Sequence, residues 1–290
     1  MRTEKEMLKL ILGIAEDDER IRAVYMNGSR VNPSIPKDIY QDYDIVFAVT
    51  ETESFIADKD WVLMFGHPLI VQEPNWNDNL AGYSGETHDF SKCYVWLMLF
   101  DDGNRIDLSI EINTEAAKSF LDDKLTLILL DKDGLLPQIS EPSDEDYHIQ
   151  NPTEGHFIAC CNDFWWCLNN VAKGIARDEL PYVKGMLDIV IRNELHTMMN
   201  WYIGSQKGFD LSTGKFGRHF KKHLSGELYH HYCQTYVGCN YEDIWTSVFA
   251  MCDLFHLLAL SVSKHFGYIY RQHEEDGMRI YLEKVKSDYM

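Results

Sequence analysis

The sequence has few basic residues for its size. Its 27 lysines and arginines stand against 46 aspartates and glutamates, so the 290-residue chain carries a net charge of −19 at neutral pH. Contact with the phosphates of a nucleic acid needs basic stripes, so this shortage argues against a nucleic-acid partner. A strongly acidic protein attracts a cationic ligand over long range. The same charge is also typical of ordinary soluble proteins, so it indicates a ligand class only together with other features.

The sequence also lacks the features typical of disulfide-bonded and of membrane-spanning proteins. Its seven cysteines are an odd number and contain no CxxC pair, which favours reduced thiols in the cytoplasm. No run reaches the roughly 18–20 uncharged residues that a membrane span needs. The longest apolar candidate, 244–269, contains Asp253 and Lys264 and is predicted to be a buried helix. We expect a cytoplasmic monomer without a membrane partner.

Two halves of different composition predict two domains. Thr3 and Glu6 form a capping-box pattern before a helix that ends near Asp18. Strand patterns then follow at 23–26, 42–49, 69–73, 94–100, 105–112 and 125–130. The acidic, proline-containing segment 141–153 is typical of a linker, and helical patterns follow at 154–174, 177–203, 241–270 and 273–288. We predict an α/β (α+β) domain with a mixed sheet over 1–140 and an all-α helical domain over 154–290.

Acidic side chains on predicted strands indicate a metal site. Alternation along a strand puts Asp42 and Asp44 on one face, about 6–7 Å apart at Cα. Two such carboxylates repel each other unless a cation lies between them, and Mg²⁺ prefers carboxylate and phosphate oxygens. In the strand 105–112, Arg105 and Asp107 share a face opposite the apolar side chains. Asp107 is therefore a candidate third acid from a neighbouring strand.

A glycine-containing turn supplies the complementary phosphate site. Gly28 allows close approach of the backbone, and the Ser29 hydroxyl and nearby N–H groups are donors for phosphate oxygens. Arg30 adds positive charge. Together with the carboxylates, these residues suit in-line attack on phosphorus, in which metal ions clamp the attacking and leaving oxygens.

These motifs resemble those of the polymerase-β-like nucleotidyltransferase superfamily. Gly28-Ser29 is followed after twelve residues by the acid–x–acid pattern Asp42-Tyr43-Asp44, with Asp107 on a later strand. Asn27 departs from the apolar or aromatic residue that many members carry. The resemblance implies that the first domain is a nucleotidyltransferase domain.

The full chain is similar to the streptomycin-type aminoglycoside 6-adenylyltransferase family. The matching stretches are 26–30, 41–44, 105–108, 163–166, 171–174, 182–184, 199–202 and 214–215. The resemblance implies transfer of AMP from ATP to a hydroxyl on the streptidine ring of streptomycin, a cationic aminoglycoside, which inactivates the antibiotic.

The resemblance also implies roles for individual residues. Asp42 and Asp44 are expected to bind Mg²⁺, and Asp107 is either a further metal ligand or the base that accepts the hydroxyl proton. The predicted ATP contacts are Gly28, Ser29, Arg30, Lys173 and Lys215. The predicted contacts of the cationic substrate are Asp163, Trp165, Trp166 and Asp188, because streptomycin carries guanidinium groups that pair with acids and stack on tryptophan. A core position for each tryptophan is the alternative.

Other interpretations stay open or are excluded by spacing. The acceptor is alternatively a lincosamide, another aminoglycoside or a protein side chain. A non-catalytic nucleotide-binding regulator is a further alternative, although it would not need all three acids. The segment 208–215 has the wrong spacing for a P-loop, and Phe216 replaces its Ser or Thr. His219 and His223 lack a third ligand for Zn²⁺.

Overall fold

The computed structural model describes residues 1–82 and 87–289, and the chain divides into two compact units. The first unit is Met1–Asp146 and the second is Tyr147–Met290. Their boundary lies inside the segment 141–153 that the sequence predicts as a linker. The assignment of a separate function to each unit stays a prediction.

A mixed β-sheet forms the centre of the first unit. Its strands are β1 (Ile21–Asn27), β2 (Tyr43–Val49), β3 (Pro68–Gln72), β4 (Cys93–Phe100), β5 (Arg105–Ile112) and β6 (Thr126–Asp131). The six-stranded order is β3-β4-β5-β2-β1-β6. Strands β2 and β5 are parallel, and the other neighbouring pairs are antiparallel. The predicted mixed sheet is therefore confirmed, with each predicted strand present within a few residues of its expected bounds.

The side chains of β5 alternate between the core and the opposite face. Ile106, Leu108 and Ile110 are completely buried in the main core of this unit. Arg105 and Asp107 therefore lie on the other face of the sheet, as the alternation predicts. A hairpin joins the antiparallel strands β4 and β5, and in its turn the Phe100 N–H donates to the Asn104 carbonyl at 2.9 Å.

Among the described residues of the first unit, four α-helices are interspersed along the chain with these strands. They are α1 (Glu4–Asp17), α2 (Glu53–Ala57), α3 (Pro74–Ala81) and α4 (Asn113–Ser119). The capping box of α1 is present: the Glu6 N–H donates to the Thr3 hydroxyl, and the Thr3 N–H donates to the Glu6 carboxylate. Helix α1 buries Met7, Ile11 and Ile14 against the core. Helices α2, α3 and α4 are too short to give a clear helical period in the sequence, so they were not predicted.

The second unit is helical, as predicted. Its helices are α5 (Glu154–Ala176), α6 (Leu180–Gly185), α7 (Arg192–Lys207), α8 (Phe220–His223), α9 (Gly226–Cys233), α10 (Tyr241–Phe266) and α11 (Gln272–Tyr289). Phe164 of α5 stacks on Phe255 of α10 with ring centroids 3.7 Å apart. Within the described residues, α10 is the one helix long and apolar enough to cross a membrane. Its apolar residues form the centre of the helical core, which accounts for that composition.

The predicted helix 177–203 is present as one uninterrupted helical run, which begins at Leu180 and ends at Lys207. Asp178 has a positive φ of 57°, and Pro181 lies in the first turn of α6. Proline lacks the N–H that would continue a preceding helix, so α5 and α6 are separate. A π-helical segment, Met186–Ile191, then joins α6 to α7. Such segments are rare and occur frequently at functional sites.

Candidate active site

The parallel strands β2 and β5 bring two of the predicted acids together. Asp44 and Asp107 are direct partners in the register of these strands, and Asp42 lies two residues before Asp44. Neighbouring strands are about 4.8 Å apart, so in-register side chains on one face are immediate neighbours. The register therefore produces a group of acids, here called the acidic cluster (Asp42, Asp44 and Asp107).

The glycine of the predicted phosphate turn is packed directly on this cluster. Gly28 follows β1, whose last residue Asn27 pairs with Asp44. Its φ of 77° belongs to the left-handed region that favours glycine, and a Cβ there would lie 2.3 Å from the Asp44 Oδ2 atom. The Gly28 N–H donates to the Leu125 carbonyl at 3.2 Å. Donors for a phosphate in this turn are therefore expected from Ser29 rather than from the Gly28 N–H.

The acidic cluster is electrostatically crowded. Burial raises the pKa of Asp44 to about 6, with further contributions from the Asp107 and Asp42 carboxylates. Burial also raises the pKa of Asp42, and the Arg105 guanidinium opposes that shift. Carboxylates that resist ionisation in this way are stabilised by a nearby cation. The acidic cluster therefore favours the binding of a cation.

Arg105 supplies positive charge to the cluster. Its Nε and Nη2 atoms donate to the two Asp107 carboxylate oxygens at 2.7 and 2.6 Å, and its Nη1 atom lies 3.4 Å from Asp42 Oδ2. One guanidinium thus connects two of the three acids. Strand alternation predicts that Arg105 shares a face with Asp107, but it does not predict which side chains pair on that face.

Arg30 has a different environment from the one expected of a phosphate ligand. Its side chain is only 5% exposed and its guanidinium lies 3.8 Å from the centre of the Tyr43 ring. It donates to the Gln41 carbonyl and, at 3.3 Å, to the Asp42 carbonyl. Arg30 therefore holds the backbone just before β2 in place. Gln41, which is not among the predicted site residues, donates a hydrogen bond of 3.1 Å from its side-chain amide to the Ser29 carbonyl.

The donor chemistry of the acidic cluster fits Mg²⁺, which binds carboxylate oxygens. Within residues 1–82 and 87–289, however, no three Asp, Glu, His or Cys side chains converge as a metal site does. Both Asp107 carboxylate oxygens accept hydrogen bonds from Arg105. The donor atoms present thus suit the ion, and the Asp107 oxygens are occupied by the guanidinium.

The predicted residues of the helical unit have different exposures. Trp165 is 2% exposed, and its indole N–H donates to the Tyr270 hydroxyl at 3.0 Å, whereas Trp166 is 67% exposed. Asp163 and Lys173 are exposed on the same helix, α5, and Lys215 is exposed in a short 3₁₀ turn. The alternative of a core position therefore applies to Trp165, and Trp166 is the tryptophan that a ligand can reach.

Asp188 lies in the π-helical segment and is paired with two cations. Its carboxylate is 2.7 Å from Lys184 Nζ and 3.2 Å from Arg192 Nη2. Arg192 is buried, donates to the Thr235 hydroxyl and carbonyl, and stacks on Tyr236 at 3.8 Å. Arg192 is therefore a fixed partner, and the more exposed Lys184 also donates to the Val237 carbonyl at 3.1 Å. Asp188, which the sequence predicts as a contact of the substrate, is thus already paired with two basic side chains.

Comparison with known proteins identifies the family. The sequence model of the family described as streptomycin adenylyltransferase matches residues 1–285. The chain belongs to this family. Aminoglycoside 6-adenylyltransferase of Bacillus subtilis strain 168 is 36% identical to it over 286 residues, which cover 98% of each chain. The enzyme of the same name from Campylobacter jejuni is 36% identical over 289 residues, covering 100% of this chain and 98% of the relative.

Two further relatives are similar along nearly their whole length. Aminoglycoside 6-adenylyltransferase of Staphylococcus aureus is 34% identical over 277 residues, covering 95% of this chain and 96% of the relative. A crystal structure of an aminoglycoside 6-adenyltransferase from Bacillus subtilis is 31% identical, covers 99% of each chain and has a TM-score of 0.48. Membership in the streptomycin adenylyltransferase family makes the chain a nucleotidyltransferase with ATP as its co-substrate.

Proposed function

We propose that this member of the streptomycin adenylyltransferase family transfers AMP from ATP to the 6-hydroxyl of the streptidine ring of streptomycin, in the cytoplasm and with Mg²⁺. The family match and the names of the full-length relatives support an aminoglycoside acceptor. The observation that carries the assignment of the chemical site is the register pair of Asp44 and Asp107 beside Gly28.

The reaction exchanges one phosphorus–oxygen bond for another. The acceptor hydroxyl oxygen forms a bond to the α-phosphorus, the bond from that phosphorus to the bridging oxygen breaks, and pyrophosphate leaves. Bound Mg²⁺ neutralises phosphate charge and lowers the pKa of the acceptor hydroxyl. We assign its ligation to Asp42 and Asp44, whose carboxylates lie in an environment that favours a cation.

Asp107 has two possible roles in this scheme. As a base, its carboxylate accepts the proton of the attacking hydroxyl; as a metal ligand, it completes the acidic cluster. Both roles need the Asp107 oxygens that now accept hydrogen bonds from Arg105. Ser29 is proposed to donate to the triphosphate, next to the close approach of Gly28 to Asp44. Contacts of Lys173 and Lys215 with the triphosphate stay predictions.

The acceptor is proposed to be recognised by acidic and aromatic residues of the helical unit. Asp163 and Trp166 are exposed three residues apart on α5, a spacing that puts side chains on one helical face. A guanidinium of streptomycin can pair with the Asp163 carboxylate and stack on the Trp166 ring. At Asp188, a substrate guanidinium would take the place of Lys184, the more exposed of its two basic partners. The net charge of −19 adds long-range attraction for such a polycation.

The proposal is tested by mass spectrometry with a panel of acceptors. The purified protein is incubated with ATP, MgCl₂ and either streptomycin, an aminoglycoside without guanidinium groups, or a lincosamide. We expect one added AMP on streptomycin, equimolar pyrophosphate, and attachment at the 6-hydroxyl by NMR. An Asp44→Asn protein is the matched control for contaminating activity. Modification of a different acceptor, or no modified product in the panel, would contradict the proposed substrate.

A further inference from the structure

Arg105 and Asp107 form the strongest ion pair at the acidic cluster. Both carboxylate oxygens of Asp107 accept a hydrogen bond from the guanidinium, at 2.7 and 2.6 Å. Paired N–H···O bonds of this kind are charge-assisted and directional. The third nitrogen of the same guanidinium approaches Asp42 at 3.4 Å. The two ends of the acidic cluster are thus connected through one basic side chain.

We propose that Arg105 is a positioning residue that competes with the metal ion for the acidic cluster, so that Asp107 becomes available only when the metal displaces the guanidinium. The proposal rests on the proposed function, because it takes Asp42, Asp44 and Asp107 as the residues that serve the metal-dependent reaction. It assigns to Arg105 the control of metal affinity and of the Asp107 orientation.

The need for displacement follows from the positions of the hydrogen bonds. Either proposed role of Asp107 uses carboxylate lone pairs, and both oxygens are directed at Arg105. A metal ion that entered between Asp44 and Asp107 would also meet the positive guanidinium at close range, where like charges repel. The metal therefore binds more weakly while Arg105 remains, and Asp107 cannot turn until the guanidinium moves.

A comparison of the two arginines near the cluster shows which one can move. Arg30 is 5% exposed, contacts two main-chain carbonyls and stacks on Tyr43. Arg105 is 41% exposed, and its hydrogen bonds at the cluster are made to carboxylate side chains. Loss of the Arg105 contacts leaves no main-chain carbonyl of this site without its partner. Arg105 is thus the exchangeable cation and Arg30 the fixed one.

Calorimetric titration with Mn²⁺ alone, on the full-length protein without nucleotide, tests this competition. We expect Arg105→Gln to bind Mn²⁺ about tenfold more tightly than the unchanged protein, since one bidentate competitor is removed. The Mn²⁺ affinity of Arg105→Lys should lie between those of the other two proteins, because lysine keeps the positive charge but lacks the planar guanidinium that makes two parallel hydrogen bonds. Arg22→Gln is the matched control: Arg22 makes the same paired contact with Asp133, at 2.6 Å for each bond, and should leave Mn²⁺ affinity unchanged.

The outcomes separate this inference from the proposed function. If Arg105→Gln binds Mn²⁺ no better than the unchanged protein, or if neither protein binds it, the competition is contradicted. Asp44→Asn is titrated in parallel. Loss of binding in Asp44→Asn with no change in Arg105→Gln would overturn only the competition. Unchanged binding in Asp44→Asn would place the metal elsewhere, which would overturn the assignment of the metal site in the proposed function as well.

Discussion

Gly28 and Asp44 are in such close contact that no side chain fits between them. A Cβ on Gly28 would lie 2.3 Å from Asp44 Oδ2, and the backbone there has a φ of 77°. The contact joins the turn after β1 to the second residue of β2, so the phosphate turn and an acid of the cluster are positioned by each other.

Gly28→Ala is expected to reduce both stability and turnover. The substitution places a methyl group against the Asp44 carboxylate and strains the left-handed backbone, at a cost of about 1–3 kcal/mol. Gly134→Ala is the matched control in the same unit, because its φ of 65° imposes backbone strain but no atom lies within 4 Å of the added carbon. We expect the control to lose about 1 kcal/mol and to keep its turnover. Equal turnover of the two variants would show that the contact with Asp44 is not needed.

Asp44→Asn is expected to abolish turnover without loss of stability. Asp44 is largely buried beside two other carboxylates, and its pKa is raised to about 6, so its ionised form opposes folding at neutral pH. In EDTA at pH 7.5, the asparagine variant should unfold at the same denaturant concentration or a higher one. Turnover with ATP and Mg²⁺ should fall more than about 100-fold. A normal rate in this variant would contradict the assignment of Asp44 as a metal ligand.

Asp107→Asn distinguishes the two roles proposed for this residue. The change removes a carboxylate that accepts two hydrogen bonds from Arg105, and we expect a large loss of turnover. Calorimetry with ATP and Mg²⁺ then separates the roles. Retained binding indicates that Asp107 is the base, and lost binding indicates that it is a metal ligand. A near-normal rate would contradict both.

The adjacent tryptophans are expected to respond differently to substitution. Trp165 is buried against Phe164 and Phe255, so Trp165→Ala should lower the free energy of unfolding by about 3–5 kcal/mol. Trp166 is exposed, so Trp166→Ala should leave stability nearly unchanged. If Trp166 stacks on a substrate guanidinium, its loss raises the KM for streptomycin about 2- to 5-fold, which corresponds to about 0.5–1 kcal/mol. An unchanged KM would remove Trp166 from the substrate site.

The stability of the helical unit is expected to fall below pH 6.5 because of His196. Burial, with a smaller contribution from Arg192, lowers the pKa of His196 to about 4, and its ring nitrogen contacts the Tyr232 hydroxyl at 2.8 Å. The unfolded histidine titrates at about 6.5, so the unfolded state takes up a proton first as pH falls. The stabilisation from neutral His196 is therefore complete above about pH 6.5 and decreases as pH falls towards 4.

Denaturant unfolding at pH 7 and pH 5 measures this effect. After allowance for the part of the ring that water reaches, we expect His196 to account for about 1 kcal/mol of the stability lost between these values. In His196→Gln that part of the loss should be absent, because glutamine does not titrate. The same pH dependence in the variant and the unchanged protein would show that His196 is not the responsible group.

The sequence predicted the strands of the first unit well because a strand with one buried face alternates. In β5, the apolar residues Ile106, Leu108 and Ile110 defined the face on which Asp107 lies, and the structure has that arrangement. The pattern did not predict that Arg105 clamps Asp107 or that Arg30 faces main-chain carbonyls. The Arg30 partners depend on the path of the chain before β2, which no periodicity encodes.

The helical unit was less predictable in its details. The sequence predicted separate helices over 154–174 and 177–203, and Pro181 and the positive φ of Asp178 mark the start of the second one, at Leu180. The π-helical segment that contains Asp188 was not predicted, because the apolar pattern of the sequence does not distinguish it from an α-helix. Likewise, because Trp165 and Trp166 are adjacent, the sequence predicted that they point to different sides of one helix. It did not show which of the two is buried.

The most direct test of the central claim follows the phosphorus atoms of ATP. The protein is incubated with Mg²⁺, streptomycin and ATP that carries radioactive phosphorus at either the α or the γ position, and the drug is then separated and counted. We predict that the α label moves to streptomycin and the γ label leaves with pyrophosphate. Transfer of the γ label to the drug, or no label on the drug from either ATP, would contradict adenylyl transfer to streptomycin.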